Sequence, residues 1–191
     1  MKKIGLTGNI GAGKTYVSEI FKQMGIPVFN ADEQAKKYMV EDSNLSAAVK
    51  LAFGENMYLN DVLQKEELAK IVFNNTRSLA KLNALVHPIV KQKFEDWCNI
   101  QSSSMVIKEA AILFESDAHL VLDAIVCVSA PLKLRIERVQ KRDGSSVEQI
   151  ESRISNQISQ DEKEELADFL IVNDEMQLLL PQVLAIIAKM E

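Results

Sequence analysis

Two spacings of apolar residues alternate along the chain. Lys3–Thr7, Met105–Lys108 and Ala124–Ser129 are short runs rich in Ile and Val, and the stretches between them repeat apolar side chains at intervals of three and four. Short unbroken apolar runs suit strands buried on both faces, and the longer periodic stretches suit amphipathic helices. Pro27–Asn30 and Phe169–Asn173 are weaker runs that bring the expected strands to five. Strands alternating with helices predict right-handed crossovers and an α/β fold. The expected core is a five-stranded parallel sheet flanked by helices, with ligands at the carboxyl ends of the strands.

The intervals are uneven. About seventy residues separate the second strand from the third, far more than one crossover helix needs, which predicts an inserted lobe. Inside it Leu45–Phe53, Glu66–Phe73, Ser78–Val86 and Ile89–Trp97 carry helical spacing, with Gly54 and Pro88 as punctuation, so the lobe is expected to be mostly helical. A second excursion, Arg135–Lys163, contains Arg138, Arg142 and Arg153 together with a Ser146-x-x-Gln149 capping box, and reads as a basic lid. The run Asp161–Glu165 reads as a solvated helix face. The resulting division is one domain over residues 1–191, with a core at about 1–31, 100–134 and 166–191, the lobe at about 32–99 and the lid at about 135–165.

Composition narrows the classes. With 47% apolar and 26% charged residues, seven Gly and four Pro, the 191-residue chain is neither disordered nor fibrous. No run of eighteen apolar residues is present to span a bilayer, and Gly5, Thr7, Gly8 and Asn9 break up the opening stretch before a signal-peptide core can form. A cytoplasmic protein is expected, with no membrane partner. Cys98 and Cys127 lie in apolar segments without metal-like spacing and read as buried thiols. A net charge of −5 disfavours nucleic acid but leaves room for a local basic cleft around a small phosphorylated ligand.

The chemistry begins between the first strand and the first helix. Gly8-Asn9-Ile10-Gly11-Ala12-Gly13-Lys14-Thr15 matches Gly, four residues, Gly-Lys-Ser/Thr, the phosphate-binding P-loop, in the strand–helix setting the motif requires. Backbone N–H groups turn inward around an anion, and the helix beginning near Lys14 adds its positive end. The Lys14 ammonium can bridge β- and γ-phosphates and the Thr15 hydroxyl can ligate Mg²⁺, so the loop implies a nucleoside triphosphate with a metal. A loop of this kind serves kinases, switches and motors alike. Asp32, at the carboxyl end of the second strand, is the candidate base for an attacking hydroxyl; the same residue also suits an N-cap of a helix over Glu33–Val40. Arg135, Arg138 and Arg142 recur on one predicted helix, where one or two of them would face transferred phosphate; surface pairing with Glu137 or Asp143 is the alternative. The third strand ends in Val106-Ile107-Lys108-Glu109 rather than in an Asp that holds Mg²⁺ in many hydrolytic motors, and no Asn-Lys-x-Asp guanine reader occurs. A kinase with a helical acceptor lobe therefore leads.

The ordered set resembles the dephospho-CoA kinase family over almost the whole chain. The opening cradle, Asn30-Ala31-Asp32 in place of an Asp-Ala-Asp signature, Leu68–Phe73, Leu82 to His87-Pro88 and Leu113-Phe114-Glu115 carry the likeness. So do Arg138, Arg142-Asp143, Arg153-Ile154, Gln157, Lys163, Ala167-Asp168 and Asn173. The resemblance implies an adenylate-kinase-like P-loop kinase that phosphorylates the ribose 3′-hydroxyl of dephospho-CoA with ATP. It makes Asp32 the base, Lys14 and Arg142 the stabilisers of the transferring phosphoryl, and Thr15 the Mg²⁺ ligand; Arg77, His87 and Glu115 fall near the acceptor, and Arg138 stays a catalytic candidate from the spacing of the arginines. Four departures stand out: Asn30 for the first acid, Lys65 for Arg, Arg135 for Gln, and the stretch Lys108–Ala111. Another small-molecule kinase (for a nucleoside, a nucleoside monophosphate or shikimate) and a nucleotide-binding regulatory switch are the alternatives.

Overall fold

The apolar strands assemble side by side. In the computed structural model, which describes residues 1–73 and 75–190 apart from the side chain of Phe73, β1 (Lys2–Thr7), β2 (Val28–Asn30), β5 (Met105–Glu109), β6 (Ala124–Ser129) and β7 (Phe169–Val172) form one sheet. Its order is β2-β5-β1-β6-β7, every pairing is parallel, and all five strands are those expected. The central position of β1 puts the turn that leaves it at the middle of the sheet's carboxyl edge. That edge is where α1 (Lys14–Gln23) starts.

The chain divides into two compact units, residues 1–30 with 101–191, and residues 31–100. In the first, Ile4, Leu6, Val17, Phe21, Met105, Ile107, Val126, Val128, Ile171, Val183 and Ile186 make one buried cluster. It joins the sheet to α1 and to α9 (Leu179–Met190). Each such side chain contributes about 1.5–3 kcal/mol of burial, which is what holds α1, and with it the nucleotide loop, against the strands. α6 (Leu132–Asp143), α7 (Val147–Ile154) and α8 (Gln160–Leu166) complete this unit. The expected capping box on α7 is present: the Ser146 hydroxyl accepts the Gln149 N–H, and the Gln149 side chain accepts the Ser146 N–H.

The second unit contains α2 (Ala31–Glu41), α3 (Ser43–Phe53), α4 (Lys65–Phe73) and α5 (Thr76–Asn99). Asp42 and Asn75 accept first-turn N–H groups of α3 and α5, the standard N-cap arrangement. One expectation needs correction here. Pro88 does not separate two helices. It lies inside the 24-residue α5, where Leu82, Val86, Val90, Phe94 and Cys98 form a single buried stripe that outweighs the one backbone hydrogen bond proline removes. The lobe also holds a hairpin, β3 (Tyr58–Leu59) with β4 (Val62–Leu63), turned by Asn60 and Asp61 at φ 51° and 61°. Positive φ at both central residues is the tight-hairpin geometry that Asn and Asp tolerate.

Candidate nucleotide site

The cradle is built by backbone rather than by side chains. Gly11 has φ 80°, and a Cβ on it would lie 2.4 Å from the Arg135 carbonyl oxygen and 2.8 Å from the Arg135 Cα. Gly13 has φ 96°, and a Cβ there would lie 2.1 Å from Asn173 Nδ2. At Gly11 the neighbour is backbone and cannot give way, and at Gly13 the Asn173 amide would have to move and the positive φ would be strained, so the loop lies flush against α6 and the end of β7. Gly13 is also the N-cap of α1, and no side chain caps that helix. Its first turn therefore presents backbone N–H groups and a positive dipole end, the anion site the motif predicts. Lys14 Nζ donates to the Gly8 carbonyl at 2.9 Å, folding the ammonium back over the loop, and Thr15 is exposed at the second helical position.

Two residues from the far end of the unit close the loop's other side. Asn173 Nδ2 donates to the Ala12 carbonyl at 2.8 Å. Arg138 Nη2 donates to the Asn173 carbonyl at 3.1 Å and to its Oδ1 at 3.3 Å, and Arg138 Nη1 reaches the Gly11 carbonyl at 3.5 Å. Arg138 also pairs with the exposed Glu175 at 3.2 Å. Arg142 is held by its neighbour instead. Its Nε and Nη2 donate to the two Asp143 oxygens at 2.7 and 2.9 Å, and Arg153 adds a third contact at 3.1 Å. The hydrogen bond from Arg142 is the chief reason the Asp143 carboxyl lies below its ordinary range, and the same bond raises Arg142. Arg135 does not share a face with these two in any exposed sense: it is 5% exposed, and its Nε and Nη1 have no hydrogen-bond partner. Burial lowers its affinity for the proton, partly offset by Glu164.

Glu109 is the carboxylate that sequence reasoning passed over. It ends β5, is 5% exposed, accepts the Ser18 hydroxyl at 2.6 Å and the Asn30 amide at 3.4 Å, and is in register with Leu6 of β1 and Asn30 of β2. Its signal was available: an acid closing an apolar run. It was hidden because the preceding Lys108 breaks the usual apolar pattern, and Lys108 is itself buried at 3% exposure. A further correction concerns Asp161–Glu165. Lys163 is fully buried, pairing with Glu115 at 3.0 Å and donating to the Ala111 carbonyl at 2.6 Å, so this helix turns one cation inward while Asp161, Glu162 and Glu165 stay solvated.

The remaining site residues fall as follows. Gly8–Thr15, Glu115, Arg138 and Arg142 belong to the sheet unit; Asp32, Arg77 and His87 belong to the lobe. Asp32 is the second residue of α2, inside the first turn rather than at the N-cap. Arg77 is exposed in the first turn of α5, and His87 is half-buried in the middle of that helix rather than at a helix end. Both cysteines are buried, as expected, and burial, reinforced by Glu164, pushes the Cys127 thiol up to about 11. Among the described residues no group of three or more His, Cys, Asp or Glu is arranged to hold a metal, and no helix is long and apolar enough to cross a membrane.

A glycine cradle at the carboxyl edge of a β2-β5-β1-β6-β7 parallel sheet, with arginines on the helix after β6, defines a P-loop nucleotide-binding protein. Comparison with known proteins gives the family. The dephospho-CoA kinase family model matches residues 2–178. A dephospho-CoA kinase of Bacteroides fragilis is 41% identical over 187 residues, covering 97% of this chain and 91% of that protein. TT1252 from Thermus thermophilus superposes with a TM-score of 0.88 at 30% identity, covering 100% of this chain and 98% of the other. A dephospho-CoA kinase from Campylobacter jejuni gives 0.70 at 26% identity, with coverage of 100% and 98%. The chain belongs to the dephospho-CoA kinase family.

Proposed function

We propose that this chain transfers the γ-phosphoryl group of ATP to the ribose 3′-hydroxyl of dephospho-CoA, yielding CoA and ADP in the last step of coenzyme A synthesis, in the cytoplasm. The reaction rests on the family membership, and the observation that carries the roles is the cradle itself: a loop whose Gly11 and Gly13 have positive φ and close neighbours, ending in a helix with no side-chain cap under a lysine. The bond from the γ-phosphorus to the β,γ-bridging oxygen breaks as the 3′-oxygen bonds to phosphorus. Asp32 takes the hydroxyl proton, and the backbone of residues 8–15 holds the departing β-phosphate.

Lys14 and Arg138 border the loop already and supply positive charge where it grows on the leaving side. Arg142 reaches the transferring group by leaving Asp143, a modest sacrifice for an exposed ion pair. The donor set fits Mg²⁺: Thr15 would be its protein ligand, and Glu109, which receives hydrogen bonds from Ser18 and Asn30, would be the carboxylate nearest in kind to orient its water. When bound, the ion would supply positive charge against the phosphate oxygens. Asn30 in place of an acid leaves Glu109 as the only charged group of this trio. Arg77 and His87 contribute to the acceptor side from the lobe.

Mass spectrometry of the product after incubation with ATP, Mg²⁺ and dephospho-CoA tests the reaction. One added phosphate on the ribose supports it, and faster ADP release with a nucleoside monophosphate or shikimate overturns the choice of acceptor. Asp32→Asn is expected to lower turnover by about two to four orders of magnitude with little change in ATP affinity. An unchanged rate rules out Asp32 as base.

A further inference from the structure

The connector between α7 and α8 is bonded to the tip of the nucleotide loop through two consecutive residues. Gln157 Oε1 accepts the Ile10 N–H at 3.0 Å, and Gln157 Nε2 donates to the Ala111 carbonyl at 3.4 Å. The Ile158 carbonyl accepts Asn9 Nδ2 at 3.1 Å, and the Ile158 N–H donates to Glu115 Oε1 at 3.2 Å. Glu115 is in turn paired with the fully buried Lys163, which donates to the same Ala111 carbonyl that Gln157 uses. Three segments remote in sequence are tied here: the loop tip, the turn after β5, and α8. Neither flanking helix needs these bonds for the end that meets the connector, because the last turn of α7 is closed by the Ser155 N–H on the Glu151 carbonyl and the Gln157 N–H on the Ile154 carbonyl, and α8 is capped by Ser159.

A peptide N–H committed to a side-chain amide has its plane fixed. With the Asn9–Ile10 peptide fixed by Gln157 and the Asn9 side chain fixed by Ile158, the loop enters Gly11–Thr15 in one defined direction. The geometry points to Gln157 as a positioning residue of the nucleotide loop, the group through which the root of the lid shapes the cradle for ATP; this rests on the nucleotide-binding reading above. Glu115 belongs to the same device, through Ile158 and Lys163. A loop already held in its binding shape loses less freedom when the ligand arrives, so removing the bridge weakens nucleotide binding selectively.

The test compares the full chain with Gln157→Met, which keeps the side-chain length and removes both hydrogen bonds. Calorimetric titration with ATP, without acceptor, is expected to show affinity about tenfold weaker, the scale of two lost hydrogen bonds. KM for ATP rises in step, while KM for dephospho-CoA and kcat stay within about twofold. Gln157→Asn, a smaller change, moves ATP affinity the same way by a smaller factor. Asn156→Ala, which removes only an exposed bond to the Ser152 carbonyl, leaves it unchanged. A Gln157→Met protein that melts lower yet binds ATP as the wild type does, or one whose KM for dephospho-CoA rises as much as that for ATP, overturns the inference. A wild-type protein that binds ATP but leaves dephospho-CoA unphosphorylated refutes the proposed reaction and leaves this inference standing.

Discussion

Replacing Lys163 by Met is the sharpest probe of the sheet unit. The ammonium is fully buried, 3.0 Å from Glu115 and 2.6 Å from the Ala111 carbonyl, and Met matches the length of its stem. The substitution therefore removes charge and hydrogen bonds with little change in packing. It leaves the Glu115 side chain, 17% exposed, with the hydrogen bond from the Ile158 N–H, and takes the short bond away from the Ala111 carbonyl. Breaking one side of a buried ion pair costs about 3–5 kcal/mol, and partial access of water to Glu115 puts the expectation at the lower end, about 3 kcal/mol. For a chain of this size each kcal/mol moves the melting point by about 2–4 °C, so thermal unfolding followed by circular dichroism should show a fall of about 6–12 °C. The double variant Lys163→Met with Glu115→Gln keeps an acceptor for the Ile158 N–H and removes the stranded charge, so it should recover most of that fall. A single variant that melts within 1 °C of wild type, or a double variant as unstable as the single one, would refute the reasoning.

Two further outcomes test the cradle and the core. Gly11→Ala meets the backbone of α6, which cannot give way as a side chain can. It should cost about 2–5 kcal/mol and abolish tight ATP binding, whereas Gly144→Ala, with φ 66° and nothing within 4 Å of its Cβ, should cost only about 1–2 kcal/mol and leave ATP titrations unchanged. For Cys127 the sign follows from its folded value of about 11 against 9.0 in the unfolded chain. Below pH 9 both states hold the proton. Between pH 9 and 11 the unfolded chain releases it first, so stability falls until the folded thiol ionises too. Urea midpoints at pH 8 and pH 10.5 should fall further for wild type than for Cys127→Ala, and equal falls would remove the thiol as the cause.

The legible parts of this protein were those whose cause lies within a few residues. The five apolar runs, the strand–Gly-loop–helix of Gly8–Thr15, the capping box at Ser146 and Gln149 and the long interval holding the lobe all depend on neighbours in the chain. The errors and omissions share the opposite cause. Pro88 is a helix breaker by local rule and was overridden by a buried stripe on α5; Asn60-Asp61 is a hairpin signal too short to compete with the helices around it. Lys163 looked solvated in the midst of four acids, but its partners are Glu115 and Ala111, the latter 52 positions away. Glu109 finds Ser18 at a separation of 91 residues and Asn173 finds Ala12 at 161.

The amino-acid order alone thus determined that this is an α/β nucleotide-binding protein with a phosphate loop after its first strand, because backbone freedom at glycine and the spacing of apolar side chains are local properties. The tertiary structure decided the sheet order, the seat of Glu109 beside the cradle, the parking of Arg142 on Asp143 and the bond from Gln157 to the loop tip. Those follow from which buried polar groups must find partners once water is excluded, and a buried group's partner is chosen by proximity in space, which a linear spacing does not encode.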